Sequence, residues 1–131
     1  MTLEEVIELC ENGDPEACAF MGKEYYFGWR IDQDIDKAFR YLSVAAESGD
    51  STSQFLLAFL YGSGRGTEKD NEKALELFLK AAEQGVPEAM YNAGCILLGK
   101  PGDEDRALGK KWLVRSANAG YDPACAKLSE L

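Results

Sequence analysis

The chain has 131 residues, 46% apolar and 28% charged, the composition of a folded soluble protein built as one domain or a short repeat array. Its 14 Lys and Arg face 23 Asp and Glu, and His is absent, which argues against nucleic-acid backbone binding, His-based catalysis and imidazole zinc sites. The longest apolar run, Phe55–Tyr61, is far short of the roughly 20 residues a membrane span needs, and Met1-Thr2-Leu3-Glu4-Glu5 lacks the basic and apolar stretches of an export signal, so no membrane insertion is expected.

Residues 3–12 read as a lone helix that stops at Gly13. From there a period governs the chain, because Gly13, Gly49, Gly85 and Gly120 stand 36, 36 and 35 residues apart. The first repeat, about residues 13–48, opens with Asp14-Pro15-Glu16-Ala17. Asp14 suits an N-cap, Pro15 loses no hydrogen bond at the first helical position, and Glu16 suits the positive end of the dipole. This helix A is predicted to end at Gly28, a residue suited to a left-handed C-cap. Helix B is predicted to start at Asp34 as N-cap and to run through Lys37-Ala38-Phe39-Arg40-Tyr41-Leu42 towards Gly49.

The second repeat, about residues 49–84, follows the same plan. Helix A ends near Gly64, the turn is Gly64-Arg65-Gly66-Thr67-Glu68-Lys69, and helix B starts at Asp70. Leu75, Phe78, Leu79 and Ala82 fall at helical spacing and form one buried stripe. The third repeat, about residues 85–119, opens at Pro87-Glu88-Ala89, turns near Gly99 and is predicted to start helix B at Asp105. One residue is missing between Gly94 and Gly99, which accounts for the final spacing of 35. Residues 122–131, opening with Asp122-Pro123-Ala124, read as a lone helix A with the same start signal.

Small residues recur with the period. Gly22, Ala58 and Gly94 sit in the middle of helix A, where Gly costs about 1 kcal/mol against Ala. Another helix crossing closely would offset that cost, and the pairs Ala45-Ala46, Ala81-Ala82 and Ser116-Ala117 of helix B are expected to supply the facing surface. No strand pattern occurs. The half-units at the two ends are suited to covering apolar faces that terminal repeats would leave open.

These columns resemble the Sel-one-like repeat (SLR) family, relatives of the tetratricopeptide repeats. The second repeat carries the pattern most fully, at Tyr61, Gly64, Gly66, Asp70, Lys73-Ala74, Leu77, Lys80-Ala81-Ala82 and Gly85. The first matches at Ala17, Gly22, Tyr25, Gly28, Asp34, Lys37-Ala38, Tyr41, Ala45-Ala46 and Gly49, but has Arg30 in place of the second loop glycine. The third matches at Ala89, Gly94, Gly99, Asp105, Trp112, Arg115, Ala117 and Gly120, and departs with Pro101 in the loop and Leu108-Gly109 for Lys-Ala. The resemblance spans residues 3–131. It implies an all-α fold, a right-handed α-α superhelix (solenoid) of about three helix pairs plus a flanking helix at each end, in one domain over 1–131. It also implies a non-enzymatic adaptor or scaffold for other proteins, with no cofactor.

Residues that resemble chemical motifs fit the repeat better than the chemistry. Asp32, Asp34 and Asp36 alternate like the start of a calcium loop, but Lys37 and Ser43 stand where such a loop needs Gly and Glu. Gly62-Ser63-Gly64-Arg65-Gly66 follows a helix and lacks the Lys-Ser/Thr of a phosphate loop, and no His is present to activate Ser63.

Cys10 and Cys18 are similar to the pair that is bridged in each repeat of the family's secreted cysteine-rich branch. The corresponding later pairs are Ala46/Gln54 and Ala82/Met90, and Ala117 stands opposite Cys125, so that pattern is broken. Without an export signal the expectation is a cytoplasmic protein with reduced thiols packed as small apolar groups. A Cys10–Cys18 disulfide in a periplasmic or secreted protein is the alternative. That branch includes members that bind or hydrolyse β-lactams, the alternative function, but this chain offers no constellation of serine and base for it.

In stacked pairs of this kind the A helices line the concave wall. Met21, Gly22, Tyr25, Leu57, Ala58 and Tyr61 are expected in the core. The face towards a partner is expected to hold Ala19, Lys23 and Tyr26, then Phe55, Phe59 and Gly62, then Tyr91, Cys95 and Leu98. Phe55 and Tyr91 share a column, and an aromatic row on an open groove would mark a binding surface. The alternative is that these rings pack into the core. Residues 1–50 hold 12 acidic and 4 basic residues, while residues 51–131 hold 11 and 10. This acidic part reads either as a solvated face that aids solubility or as an end that meets a basic partner. The expected partner is a protein or peptide, extended or helical, with an inhibitor or immunity-type binder of a basic protein as a special case and no nucleic acid involved.

Overall fold

The computed structural model describes all of residues 1–131 as eight α-helices with no strand. They are α1 (Leu3–Glu11), α2 (Pro15–Phe27), α3 (Ile35–Glu47), α4 (Ser51–Ser63), α5 (Asn71–Glu83), α6 (Pro87–Leu98), α7 (Asp103–Asn118) and α8 (Asp122–Ser129). Helices this short are marginal alone, so their stability comes from packing. The chain divides into two compact units, Met1–Ala74 and Leu75–Leu131.

In the first unit α1 packs on α2, α2 on α3 and α3 on α4. Leu3, Val6, Ile7 and Cys10 form one stripe of α1, set against Ala17, Cys18, Met21, Tyr41 and Ala45. Each large side chain fully buried there contributes about 1.5–3 kcal/mol, which is how a lone flanking helix covers the first helix pair. The predicted starts hold: Asp14 Oδ2 accepts from Ala17 N at 2.9 Å, Asp34 Oδ1 from Lys37 N at 3.1 Å and Asp70 Oδ1 from Lys73 N at 3.0 Å. Asp34, the middle member of the alternating trio, is thus an ordinary cap. Gly28 and Gly64 end α2 and α4 at φ 69° and 70°, a conformation that other residues adopt at a cost. Both loops close with the same backbone bond, Asp34 N to Tyr25 O and Asp70 N to Tyr61 O, each 2.9 Å.

A second repeating contact holds the corner between one pair and the next. The Cys18 thiol donates to the Cys10 carbonyl at 3.2 Å, and one period later Gln54 Nε2 donates to the Ala46 carbonyl at 3.3 Å. The same column therefore satisfies a helix-end acceptor with two unrelated side chains. Mid-helix Gly22 meets Leu42 of α3, not the alanine pair: a Cβ on Gly22 would lie 2.7 Å from Leu42 Cδ2. The alanine pairs are buried, but the crossing point lies three residues earlier on helix B.

In the second unit α6 packs on α7 and α7 on α8, around Leu98, Leu113 and Ala124 with Tyr121 and Leu128. Two predicted boundaries move here. α7 starts at Asp103 behind Gly102, so Asp105 lies inside its first turn and caps nothing. Gly99 has φ −76°, not the left-handed conformation. The missing residue shortens α6 itself, to 12 residues against 13 in α2 and α4, and the link Gly99–Gly102 that follows closes through Gly99 N to Ile96 O and Lys100 N to Leu97 O, each 3.1 Å. Arg106 Nη1 then donates to the Leu98 carbonyl at 3.1 Å, meeting an acceptor left at the end of α6. Asp122 likewise begins α8 from within, behind Tyr121. Gly109, a departure from the family column, sits directly against the backbone of Gly94. Ser116 is fully buried and donates to the Pro87 carbonyl at 2.8 Å, tying α7 to the start of α6. No helix is long and apolar enough to cross a membrane.

Candidate interaction site

The first repeat presents the most distinctive surface. Along α2, Glu16, Ala19, Phe20, Lys23 and Glu24 recur at helical spacing on one face, and the chain reverses at Gly28 to bring Trp29 and Arg30 beside them. Together with Pro15 and with Ser48 and Asp50 of the turn before α4, these residues line a pocket of about 530 Å³.

The loop is fixed from below. Glu24 is buried, accepts from the backbone N of Arg30 at 3.2 Å and forms an ion pair with the Arg30 guanidinium. Gln33 Nε2 donates to the Tyr26 carbonyl at 2.8 Å. Arg30 stands in the column that Gly66 fills in the next repeat, so the departure from the repeat pattern is what anchors this loop to Glu24. On the far wall Asp50 Oδ2 accepts from the backbone N and hydroxyl of Ser53 at 2.9 and 2.6 Å, and lies 4.0 Å from Lys23 Nζ.

Two aromatic rings of the lining, Phe20 and Trp29, remain open to water, and Phe27 lies beside them against Trp29. Trp29 is 64% exposed, Phe27 43% and Phe20 40%. Trp29 stacks on Phe27 with ring centres 4.4 Å apart and planes within 9°. Tyr26 meets Phe27 edge-on at 4.8 Å, and the Arg30 guanidinium lies 5.7 Å from the Phe20 ring centre. Burial holds the Tyr26 hydroxyl above its ordinary pKa, against a smaller opposing effect of Arg65, so it stays a neutral donor. A stacked, exposed Trp–Phe pair beside a pocket is the kind of anchor that dominates protein interfaces.

The expected partner face is thereby divided. Lys23 lines the pocket, Ala19 lines it as a buried residue, and Tyr26 packs on Phe27 beside it. Phe55 and Phe59 form an edge-to-face pair at 4.9 Å, with Phe59 37% exposed. In the second unit Tyr91 rests on Tyr121 at 5.4 Å, Cys95 is half-buried beside it, and Leu98 is buried against Leu113 and Ala124. For these three the core-packing alternative describes the observed contacts, and Leu98 is withdrawn from the candidate surface. Phe20, Phe27 and Trp29 were not among the expected residues. Trp29 occupies a column held by Arg65 and Lys100 in the other repeats, and an aromatic residue where its equivalents are charged is the signal that marks it.

Cys10 and Cys18 are free and buried, and burial followed by the hydrogen bond to Cys18 pushes the Cys10 thiol far above the ordinary range. Ser63 donates its hydroxyl to the Phe59 carbonyl at 2.7 Å, a local helical bond without any base.

Comparison with known proteins places these features in a family. The Sel1 repeat matches residues 15–50, 51–86 and 87–121. Chitin synthase regulatory factor 3 of Schizosaccharomyces pombe is 32% identical over 126 residues, 92% of this chain and 13% of that protein. The Arabidopsis thaliana protein named ERAD-associated E3 ubiquitin-protein ligase component HRD3B is 37% identical over 90 residues, 67% of this chain and 14% of its own length. The chain thus spans only about an eighth of these two relatives. The crystal structure of a Sel1 repeat protein from Oxalobacter formigenes superposes with a TM-score of 0.81 at 31% identity, covering 98% of both chains. Three matched repeats and that shared all-α solenoid fold show that the chain belongs to the Sel1 repeat family.

Proposed function

We propose that the chain is a non-catalytic protein-interaction module whose first repeat receives a basic segment of a partner protein. The carrying observation is the open Phe20–Phe27–Trp29 cluster at a pocket whose loop is locked by Arg30 and Glu24. The cluster offers rigid aromatic area at little entropic cost. Within the pocket Lys23 and Arg30 are matched by Asp50 and Glu24, and residues 1–50 as a whole hold 12 acidic against 4 basic residues, an excess that favours a cationic partner. The names of the relatives, a regulatory factor and a ligase component, support an adaptor role. In the finer form of this reading the chain is an inhibitor that covers a basic protein. The free, buried Cys10 and Cys18 support a reducing, cytoplasmic setting. Nothing in the surroundings of Ser63 supports β-lactam hydrolysis, and a chromogenic β-lactam is expected to remain intact.

Trp29 is its own reporter, because the other tryptophan, Trp112, is only 7% exposed. In a Trp112→Phe background, a panel of Lys/Arg-rich peptides carrying one large apolar side chain is titrated while Trp29 emission is followed. Saturable spectral change, weakened by salt and lost in Phe20→Ala, is the expected result. Equal response to Asp/Glu-rich peptides of the same length would overturn the reading.

A further inference from the structure

Two helix faces outside the pocket carry opposite charge beside exposed apolar side chains. On α7, Leu108, Lys110, Lys111, Val114 and Arg115 surround Trp112 and line a groove of about 580 Å³. Leu108 is 42% and Val114 46% exposed, and all three cations face solvent. No acidic residue stands three or four positions from Lys110, Lys111 or Arg115, so α7 cannot neutralise them within itself. On α1, Met1, Glu5, Glu8, Leu9 and Asn12 line a groove of about 260 Å³. That helix contains no basic residue, Glu5 and Glu8 are like charges one turn apart, and Leu9 is 40% exposed.

We infer that these faces are the two halves of one contact between copies of the chain, with α1 of one copy lying along α7 of the next. The signs are opposite, each face mixes apolar and charged groups, and each repels itself until the other arrives. An occupant of the α7 groove must be acidic and partly apolar, and α1 supplies such a helix at the same concentration as the groove. The two surfaces differ, so the contact is heterologous: it either closes through a second, reciprocal contact or continues to longer species. Trp29 lies outside both faces, so this inference stands or falls independently of the peptide site.

Sedimentation of the full chain over a concentration series tests it. Mass is expected to rise with concentration at low salt. At ~1 M salt, where the Debye length falls to about 3 Å, association should weaken by about tenfold or more. Glu5→Lys with Glu8→Lys, and separately Lys110→Glu with Lys111→Glu, should each give a monomer, because each makes both faces of one sign. An equimolar mixture of the two variants should associate again, which also shows that both are folded. Trp29→Ala should associate like the wild type. A wild-type chain that stays monomeric throughout, reversals that associate undiminished, or a mixture that remains monomeric would each overturn the inference. So would a monomer that instead binds anionic lipid vesicles through Lys110 and Lys111.

Discussion

Gly94 and Gly109 meet backbone against backbone where α6 crosses α7. A Cβ on Gly94 would lie 2.9 Å from the Gly109 carbonyl oxygen, and one on Gly109 would lie 2.8 Å from that of Gly94. Neither carbonyl belongs to a flexible side chain, so the helices themselves must part. Alanine at either position is expected to lower the unfolding free energy by about 1–3 kcal/mol. Gly62→Ala is the contrast: its Cβ would meet Ala74 Cβ at an ordinary 3.7 Å, and the change should stabilise α4 by up to about 1 kcal/mol. Urea unfolding of the three variants checks both signs.

The caps give a second comparison. Asp34 accepts from Lys37 N, and its replacement by alanine should cost about 1 kcal/mol. Asp105 sits within the first turn of α7 together with Asp103 and Glu104, so Asp105→Ala loses only a share of the dipole interaction, about 0.3–1 kcal/mol at most. A larger loss at Asp105 than at Asp34 would contradict the boundary at Asp103.

Thiol chemistry should separate the four cysteines. Cys125 is exposed, Cys95 half-buried, and Cys10 and Cys18 are buried. Cys10 is further protected because burial holds its thiol far above the ordinary 9.0, leaving little thiolate. Labelling of the native chain is expected to modify Cys125 first and to reach Cys10 and Cys18 only on unfolding. Mass spectrometry over time shows the order.

Stability should fall on the alkaline side. Cys10, Tyr26 and Tyr41 are raised chiefly by burial, and Tyr91 chiefly by its hydrogen bond with Cys95. The folded chain therefore holds these protons more tightly than the unfolded chain. Their contribution is fully present below the ordinary values, 9.0 for the thiol and 10.0 for the phenols, and is lost as pH rises through the folded ones. The melting midpoint is expected to be insensitive to these groups up to about pH 9 and to decline above it. Cys10→Ala, which installs the residue found at Ala46 and Ala82, should delay the onset of that decline.

The helix order is readable from the spacing alone, because glycines recur at the corners, capping aspartates start α2 to α5, and packing within a pair depends on neighbours in sequence. Boundaries failed where the period itself was broken: the missing residue before Gly99 was visible, but not that α7 would begin at Asp103. Gly109 looked like a departure from its column because its reason lies on Gly94, a partner in another helix. The site was half legible. Arg30 is legible as a replaced glycine, and Lys23 and Tyr26 as residues of the outward face. Helical spacing assigns residues to faces but does not say which face a neighbour leaves uncovered, so the exposure of Phe20, Phe27 and Trp29 is a property of the packed fold. The same gap put Leu98 on the surface when α7 and α8 enclose it.

The bond between Arg30 and Glu24 has a consequence for how such a chain diversifies. Copies of one unit begin indistinguishable, and a visitor has no means to tell them apart. A change confined to the bend leaves the interlocking of helices alone, so one copy can acquire its own address without any rebuilding of the scaffold. Moving that bend, with its carboxylate and its two neighbouring rings, into a plain unit should carry the address with it.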